Sequence, residues 1–327
     1  MTAAEPATLT VDDLRRPARC VVRRVALAQL ETIRRASDAY GRAQPRALHD
    51  VRVALRRLRT WLRAYHGEID DTVRTRIIRK IHRVQTATNA ERDLEVQYQW
   101  LRAHVARPSE ASGGGGHRAL RRLRRRHRDA HGDATIEITR RLPPLMAALT
   151  SALSWYPVRV DLGGAIVTPT MAHAAANALA SAARDLDARF ARVAGPDDAH
   201  RVHAARIAAK RVRYLIEPLV ETRLVPPGAI ERLTALQDGM GELHDAETMR
   251  ARFRTLPGGN RVLARARARV AHAHARYVAL DAAALITHAL ADVAELVAAL
   301  QRLAPARREP PRQSPAEQRE RELRHDE

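Results

Sequence analysis

Apolar residues along the chain recur at alternating spacings of three and four, which is the period of an amphipathic α-helix. One example is the series Leu48, Val51, Leu55, Leu58 and Leu62, which falls on a single arc of a helix. The alternating pattern of half-buried strands is nearly absent, and aromatic residues make up only 3% of the chain. The sequence therefore predicts an all-α protein.

Clusters of glycine and proline divide this pattern into about eight helices, four on each side of a break near residues 157–168. Thr168 and Pro169 form a favourable N-cap and first-turn pair for the helix after that break. We expect a flexible N-terminus at 1–14, a first helical bundle half at 15–156, a linker at 157–168, a second half at 169–304 and a disordered tail at 305–327.

The two halves share sequence motifs in the same order. The run from His49 to Arg59 aligns without gaps on the run from His203 to Arg213, and both fit H-x-x-R-[VI]-A-x-[RK]-R-[LV]-R. A second match follows at nearly the same offset: Gln85, Arg92, Asp93 and Glu95 align on Gln237, His244, Asp245 and Glu247. We interpret the repeat as an internal duplication, and we expect the halves to pack about a pseudo-twofold axis.

Each repeated run places a basic stripe on one helix face. The first stripe is His49, Arg52, Arg56, Arg59 and Arg63. The second is His203, Arg206, Lys210 and Arg213, with Glu217 at the last position. Surface helices usually interleave acids with arginines, and like charges at this spacing cost about 0.2–0.5 kcal/mol per pair. A solvated outer face is the ordinary explanation of a charged stripe, but the missing acids favour an anionic ligand.

Composition points to a polyanion as that ligand. The 327 residues carry a net charge of +20, and lysine supplies only two of the 57 basic residues. Guanidinium groups match phosphate oxygens in bidentate geometry. The single cysteine, Cys20, excludes an internal disulfide framework, and residues 1–20 lack the apolar region of a secretory signal. We therefore expect a cytoplasmic protein, and the small and polar residues within 162–183 argue against a membrane span there.

These motifs resemble the CHAD domain, the conserved histidine α-helical domain, over roughly residues 15–304. The resemblance implies two pseudo-symmetric four-helix bundles, a basic central cavity, and binding of inorganic polyphosphate, often on polyphosphate granules with granule-associated proteins. The matching positions, which it implies as polyphosphate ligands, are His49, Arg52, Arg56, Arg57, Arg59, Arg92, His203, Arg206, Lys210, Arg211, Arg213 and His244. Family members are frequently fused to a CYTH triphosphatase domain with an E-x-E-x-K signature, which this chain lacks. We predict that the protein is not an enzyme and needs no cofactor or metal.

A metal-dependent phosphohydrolase is the enzymatic alternative, since two His-Asp pairs begin at His49 and His244. Metal catalysis requires several ligands around an open position, and the surrounding arginines disfavour a dication. The position that matches Asp50 is Ala204, so the pair is not repeated.

Nonspecific nucleic-acid binding is the second alternative, because the run from His117 to Arg128 holds seven arginines. The chain offers no evident platform of aromatic residues for stacking bases, so we expect only weak, nonspecific contact. A solvated helix start explains the same run equally well. The preceding Gly113–Gly116 lacks the Lys-Ser/Thr ending of a phosphate-binding loop and is interpreted as a flexible linker.

Overall fold

A computed structural model describes residues 8–42, 44, 47–105, 115–155, 167–195, 197–254, 260–303 and 307–308. Within them, the protein forms eleven α-helices and a single pair of two-residue strands, so the all-α prediction is confirmed. The helices are α1 (Val11–Arg15), α2 (Ala18–Gly41), α3 (Ala47–Ala64), α4 (Thr75–Val105), α5 (Gly115–Ile136), α6 (Leu142–Ser154), α7 (Met171–Phe190), α8 (Ala199–Ile216), α9 (Ala229–Phe253), α10 (Asn260–Ala279) and α11 (Ala282–Leu303). The antiparallel strands are β1 (Val167–Thr168) and β2 (Arg307–Arg308).

Five helices in each half pack in the same order, rather than the four expected. In the first half, α2 packs on α3, α3 on α4 and α4 on α5, while α6 contacts α2 and α4. In the second half, α7 packs on α8, α8 on α9 and α9 on α10, while α11 contacts α7 and α9. The helix count is higher because each half contains one long helical segment that is divided in two without a connecting loop. A π-helical turn at Glu137–Arg141 joins α5 to α6, and only Leu280 and Asp281 separate α10 from α11.

One large core joins the halves, since α3 contacts α8 and α2 contacts α7. Leu55 and Leu62 of α3 and Val212 of α8 are fully buried in this core, and the Trp61 indole Nε1 donates to the Val22 carbonyl at 3.0 Å. A smaller cluster packs the far ends of α4, α5, α9 and α10. Its buried members are Leu101, Ala119, Leu123, Met249, Phe253, Val262 and Ala266.

We predicted that the whole segment 1–14 is flexible, but residues 8–14 are anchored to the core. Leu9 and Leu14 are fully buried, and the Leu9 amide donates to the Pro218 carbonyl at 2.7 Å. Thr10 and Asp13 form a reciprocal capping box at the start of α1, which satisfies backbone donors at the helix start. Residues 1–7 lie outside the described part of the chain.

The predicted boundary at 157–168 also needs correction at its end. The helix that follows is capped by Thr170 rather than Thr168, because the Thr170 hydroxyl accepts from the His173 amide. Thr168 instead pairs with Arg307 in the strand ladder, so the start of the predicted tail returns to the linker. Residues 156–166 and 309–327 are outside the described ranges, and with them most of the linker and tail.

One described helix, α11, is long and apolar enough to cross a membrane by length and composition alone. In the structure, α11 packs against α7 and α9, and Ile286, Val293 and Leu300 are buried in the core. The core therefore accounts for much of the apolar character of this helix.

Candidate anion-binding cavity

A cavity of about 1090 Å³ lies where the two halves meet, lined by residues of α3, α4, α7, α8 and α9. All but two of the twelve predicted site residues line it. Those that do are His49, Arg52, Arg56, Arg59, Arg92, His203, Arg206, Lys210, Arg211 and His244. The basic stripes of the two halves thus face one shared space rather than opposite sides of the molecule.

Matching arginines near the start of each stripe are held by different interactions. Arg52 of α3 is only 8% exposed, and its Nε and Nη2 donate to the Asn89 Oδ1 of α4 at 3.3 and 3.1 Å. Arg206 of α8 donates from Nε to the backbone carbonyl of Gln237 at 3.2 Å. Gly241 occupies the position that matches Asn89, and a Cβ there would lie 2.8 Å from Arg206 Nη2. The missing side chain at 241 therefore lets the guanidinium lie against α9.

Arg56 and Lys210 occupy matching positions at the middle of the stripes, and their charges repel each other. Burial, followed by repulsion from Arg206 and Arg56, lowers the pKa of Lys210 to about 7. Arg56 also contributes to lowering the pKa of Arg206, after burial. Burial, with repulsion from Arg56, lowers the pKa of Arg52 to about 10. The cavity thus concentrates positive charge that its own carboxylates neutralise only in part.

Four histidines line the cavity beside these cations, and three of them, His49, His203 and His244, belong to the predicted site. The rings of His203 and His244 lie 3.9 Å apart between centroids. Burial lowers the pKa of His203 to about 4, with further contributions from His244 and Arg206. Burial also lowers the pKa values of His244 and His49, and nearby cations act in the same direction. A neutral imidazole offers one N–H donor, so these side chains can donate to an anion without adding charge.

Three aspartates line the cavity and order its cations. Asp185 of α7 accepts from Arg189 at 2.8 Å and from Arg211 at 3.0 Å, which fixes both guanidinium groups at one end of the cavity. Burial raises the pKa of Asp93, which Arg52 opposes and the nearby charge of Asp245 reinforces. Arg59 is oriented by a neutral partner, because its Nη1 donates to Gln85 Oε1 at 3.2 Å.

The structure does not bring Arg57 and Arg213 to the cavity, contrary to prediction. Both contact the carboxylate of Glu217, with Arg57 Nε 2.8 Å from Oε2 and Arg213 Nε 3.5 Å from Oε1. Both guanidinium groups also lie over the ring of Tyr214, with Cζ 5.9 and 5.4 Å from its centroid. These two arginines join α3 to the end of α8, which is a structural role.

Three basic residues that the predicted set omitted also line the cavity: Arg63, His82 and Arg189. Arg63 continues the first stripe by one helical turn, so the spacing already indicated it. His82 and Arg189 belong to no repeated motif, and only the packing of α4 and α7 brings them to the cavity.

Among the described residues, no three or more His, Cys, Asp or Glu side chains converge as a group that could hold a metal ion. Neither His49–Asp50 nor His244–Asp245 is therefore part of such a group in this part of the chain. The chemistry that the arrangement offers is that of cations and hydrogen-bond donors aimed into one cavity.

Fold and cavity together define an all-helical protein with a cationic cavity between two similarly packed halves. The family of the CHAD domain matches residues 24–254, and the chain belongs to this family. No curated protein matches the sequence.

Two solved structures share the fold. One is described as the crystal structure of the CHAD domain from the plant Ricinus communis, with 20% identity, a TM-score of 0.60, and coverage of 90% of this chain and 96% of that one. The other is PptA from Streptomyces chartreusis, with 18% identity, a TM-score of 0.52, and coverage of 88% and 99%. At these identities the likeness is one of fold.

Proposed function

We propose that this protein binds inorganic polyphosphate in the cavity between its halves and does not hydrolyse it. The observation that carries the proposal is the convergence of cations from α3 and α8, among them Arg56, Arg206 and Lys210, in excess of the carboxylates that line the same space of about 1090 Å³. Membership of the CHAD domain family supports the same conclusion, since the resemblance implies polyphosphate binding.

Charge neutralisation supplies the binding energy. Hydrogen bonds to charged groups contribute about 1.5–3 kcal/mol each, and a polymer can make several at once. A bound polyanion also relieves the repulsion that lowers the pKa values of Lys210 and Arg206. Because counterions are released on binding, affinity should fall steeply as the salt concentration rises.

The lining favours polyphosphate over nucleic acid. Tyr214 is the only Phe, Tyr or Trp among the residues that line the cavity, and it is 6% exposed. Single-stranded nucleic acids gain about 1–3 kcal/mol per base by stacking on aromatic side chains, which this lining does not offer. A linear chain of phosphates needs only cations and donors.

The double variant Arg56→Ala/Lys210→Ala tests the site. It removes one cation from each half, and we expect a loss of at least roughly tenfold in affinity for long-chain polyphosphate by calorimetry at moderate salt. The matched control is Arg79→Ala/Lys80→Ala on the exposed face of α4, which removes the same side chains outside the cavity. Circular dichroism should show the same helix content for both. Unchanged affinity in the cavity variant, with wild-type folding, would overturn the site assignment.

The absence of hydrolysis is tested by incubating the protein with polyphosphate and Mg²⁺ or Mn²⁺ and measuring released orthophosphate. We expect no release above a protein-free control. Release that the Arg56→Ala/Lys210→Ala variant abolishes would establish the phosphohydrolase alternative instead. We also propose that the protein resides in the cytoplasm on polyphosphate granules, and a fluorescent fusion that stays diffuse in cells with such granules would contradict this proposal.

A further inference from the structure

A second basic surface lies just beyond one end of the cavity. Thr248 and Met249 of α9 line the cavity, and Arg252 follows one helical turn later on the same face, about 6 Å along the helix axis. Arg122 and Arg126 of α5 approach Arg252 from the side, and their charges, after burial, lower its pKa.

The smaller hydrophobic cluster fixes this arrangement. Leu123 is buried in the same cluster as Met249 and Phe253, which places α5 near the end of α9. Arg122 precedes Leu123 and Arg126 follows it by about one turn, so both charges act on Arg252. Trp100 and Phe253 stack at a centroid distance of 5.2 Å within this end of the molecule. The surface is therefore built on packed helices rather than on a loop.

This surface draws on both halves, because Arg122 and Arg126 belong to α5 of the first half and Arg252 to α9 of the second. The position that matches Arg252 in the first half is Trp100, an uncharged residue that packs against the cluster. Arg122 and Arg126, at an i,i+4 spacing, make no hydrogen bond or ion pair with any other described residue. Two like charges at this spacing cost about 0.2–0.5 kcal/mol unless an anion neutralises them.

We propose that Arg122, Arg126 and Arg252 form a second phosphate-binding surface that holds the stretch of polyphosphate emerging from the cavity past Thr248. This inference rests on the proposed function and deepens it, because it makes affinity depend on chain length. A short phosphate chain is bound by the cavity alone, whereas a long chain reaches both surfaces and gains from their linkage. The surface is continuous with the cavity lining along α9, which favours the same polymer over a separate nucleic-acid ligand.

The test compares Arg122→Gln/Arg126→Gln/Arg252→Gln with a matched control, Arg121→Gln/Arg124→Gln/Arg128→Gln. The control removes the same charge from exposed positions on another face of α5. Binding of tripolyphosphate and of long-chain polyphosphate is measured for each protein by calorimetry over a series of salt concentrations.

We expect the first variant to lose at least tenfold in affinity for the long chain while binding tripolyphosphate within twofold of the wild type. The slope of log K against log salt for the long chain should fall by about 2, as for three lost phosphate contacts. The control should retain most of its long-chain affinity.

Several results would overturn the inference in distinguishable ways. Equal losses in both triple variants would assign the effect to net charge alone. A loss of affinity for single-stranded RNA or duplex DNA, with unchanged polyphosphate binding, would make the surface a nucleic-acid interface. If the wild-type protein binds neither phosphate chain, the proposed function itself fails. If the wild type binds both chains and the first variant binds them equally well, only the second surface is refuted.

Discussion

The two halves present the same helix to the cavity, but the first half carries permanent charge where the second carries groups that titrate or repel an anion. Arg56 is matched by Lys210, Arg92 by His244 and Arg63 by Glu217. A guanidinium stays protonated under all physiological conditions, whereas the pKa of Lys210 lies at about 7. Matching positions therefore differ in charge: at these three positions the first half carries permanent cations, whereas the second carries two groups that titrate and one carboxylate.

Charge reversal at Arg56 or Lys210 should have the largest effect on binding. Arg56→Glu and Lys210→Glu each place a carboxylate where phosphate would lie, so we expect affinity for polyphosphate to fall roughly 100-fold or more in either variant. Thermal stability should not fall, because the new carboxylate relieves the repulsion among the remaining cations. Calorimetry and thermal melts of the unliganded proteins measure the two effects.

The control for this reversal is Arg79→Glu on the exposed face of α4, which changes the net charge equally. It should reduce affinity only by a general electrostatic effect that salt screens. A loss as large as that in the cavity variants would contradict the assignment of Arg56 and Lys210 to the site.

A change of pH should have an intermediate effect on binding, through Lys210 of the second half. Bound phosphate favours the ammonium form, so binding raises the pKa of Lys210 from its value of about 7 in the free protein. Between the free and bound pKa values, the complex takes up a proton, and affinity falls by up to about tenfold for each unit of rising pH. Below pH 7 this lysine contributes no dependence, while the histidines contribute there because their pKa values are lowered further.

Lys210→Arg should remove the dependence above pH 7 without removing the charge, whereas Arg56→Lys should leave the Lys210 dependence in place. Calorimetry in buffers of different ionisation enthalpy gives the number of protons taken up. Long-chain polyphosphate is the probe, because terminal phosphates titrate near a pH of about 6 and are few in a long chain. Identical pH profiles for the wild type and Lys210→Arg would show that Lys210 is not the titrating group.

Helical periodicity and the repeat predicted the fold class and most of the lining. A stripe that repeats every three to four residues must share a face, so Arg52, Arg56 and Arg59 could be placed together without coordinates. The spacing also put Arg213 on the second stripe, but this residue contacts Glu217 instead of lining the cavity. Arg57 lies off the stripe and was included by the motif match alone, and it contacts the same carboxylate.

Other features of the fold and of the cavity depend on contacts that no local sequence pattern indicates. Arg189 reaches the cavity because α7 packs beside α8, a pairing of helices that periodicity does not specify. Helix α1 is only five residues long, too short for a periodic signal, although Thr10 and Asp13 are spaced like a capping box. The strand pairing of Thr168 with Arg307 joins segments far apart in sequence and leaves no local mark.

The smallest expected effects come from changing the two positions that hold Arg52 and Arg206, which are Asn89 and Gly241. Gly241→Ala brings a Cβ to 2.8 Å from Arg206 Nη2, and since this atom is the end of a flexible side chain, the guanidinium can shift at little cost in stability. Asn89→Ala removes the acceptor that orients Arg52 from α4. We expect each variant to lose roughly threefold to tenfold in polyphosphate affinity, because a single neutral hydrogen bond contributes about 0.5–1.5 kcal/mol. Ala90→Gly on the exposed side of α4 is a control for helix propensity, and it should change stability but not affinity. If the Asn89 and Gly241 variants bind like the wild type, the positions of Arg52 and Arg206 do not limit binding, and the two halves then differ in charge alone.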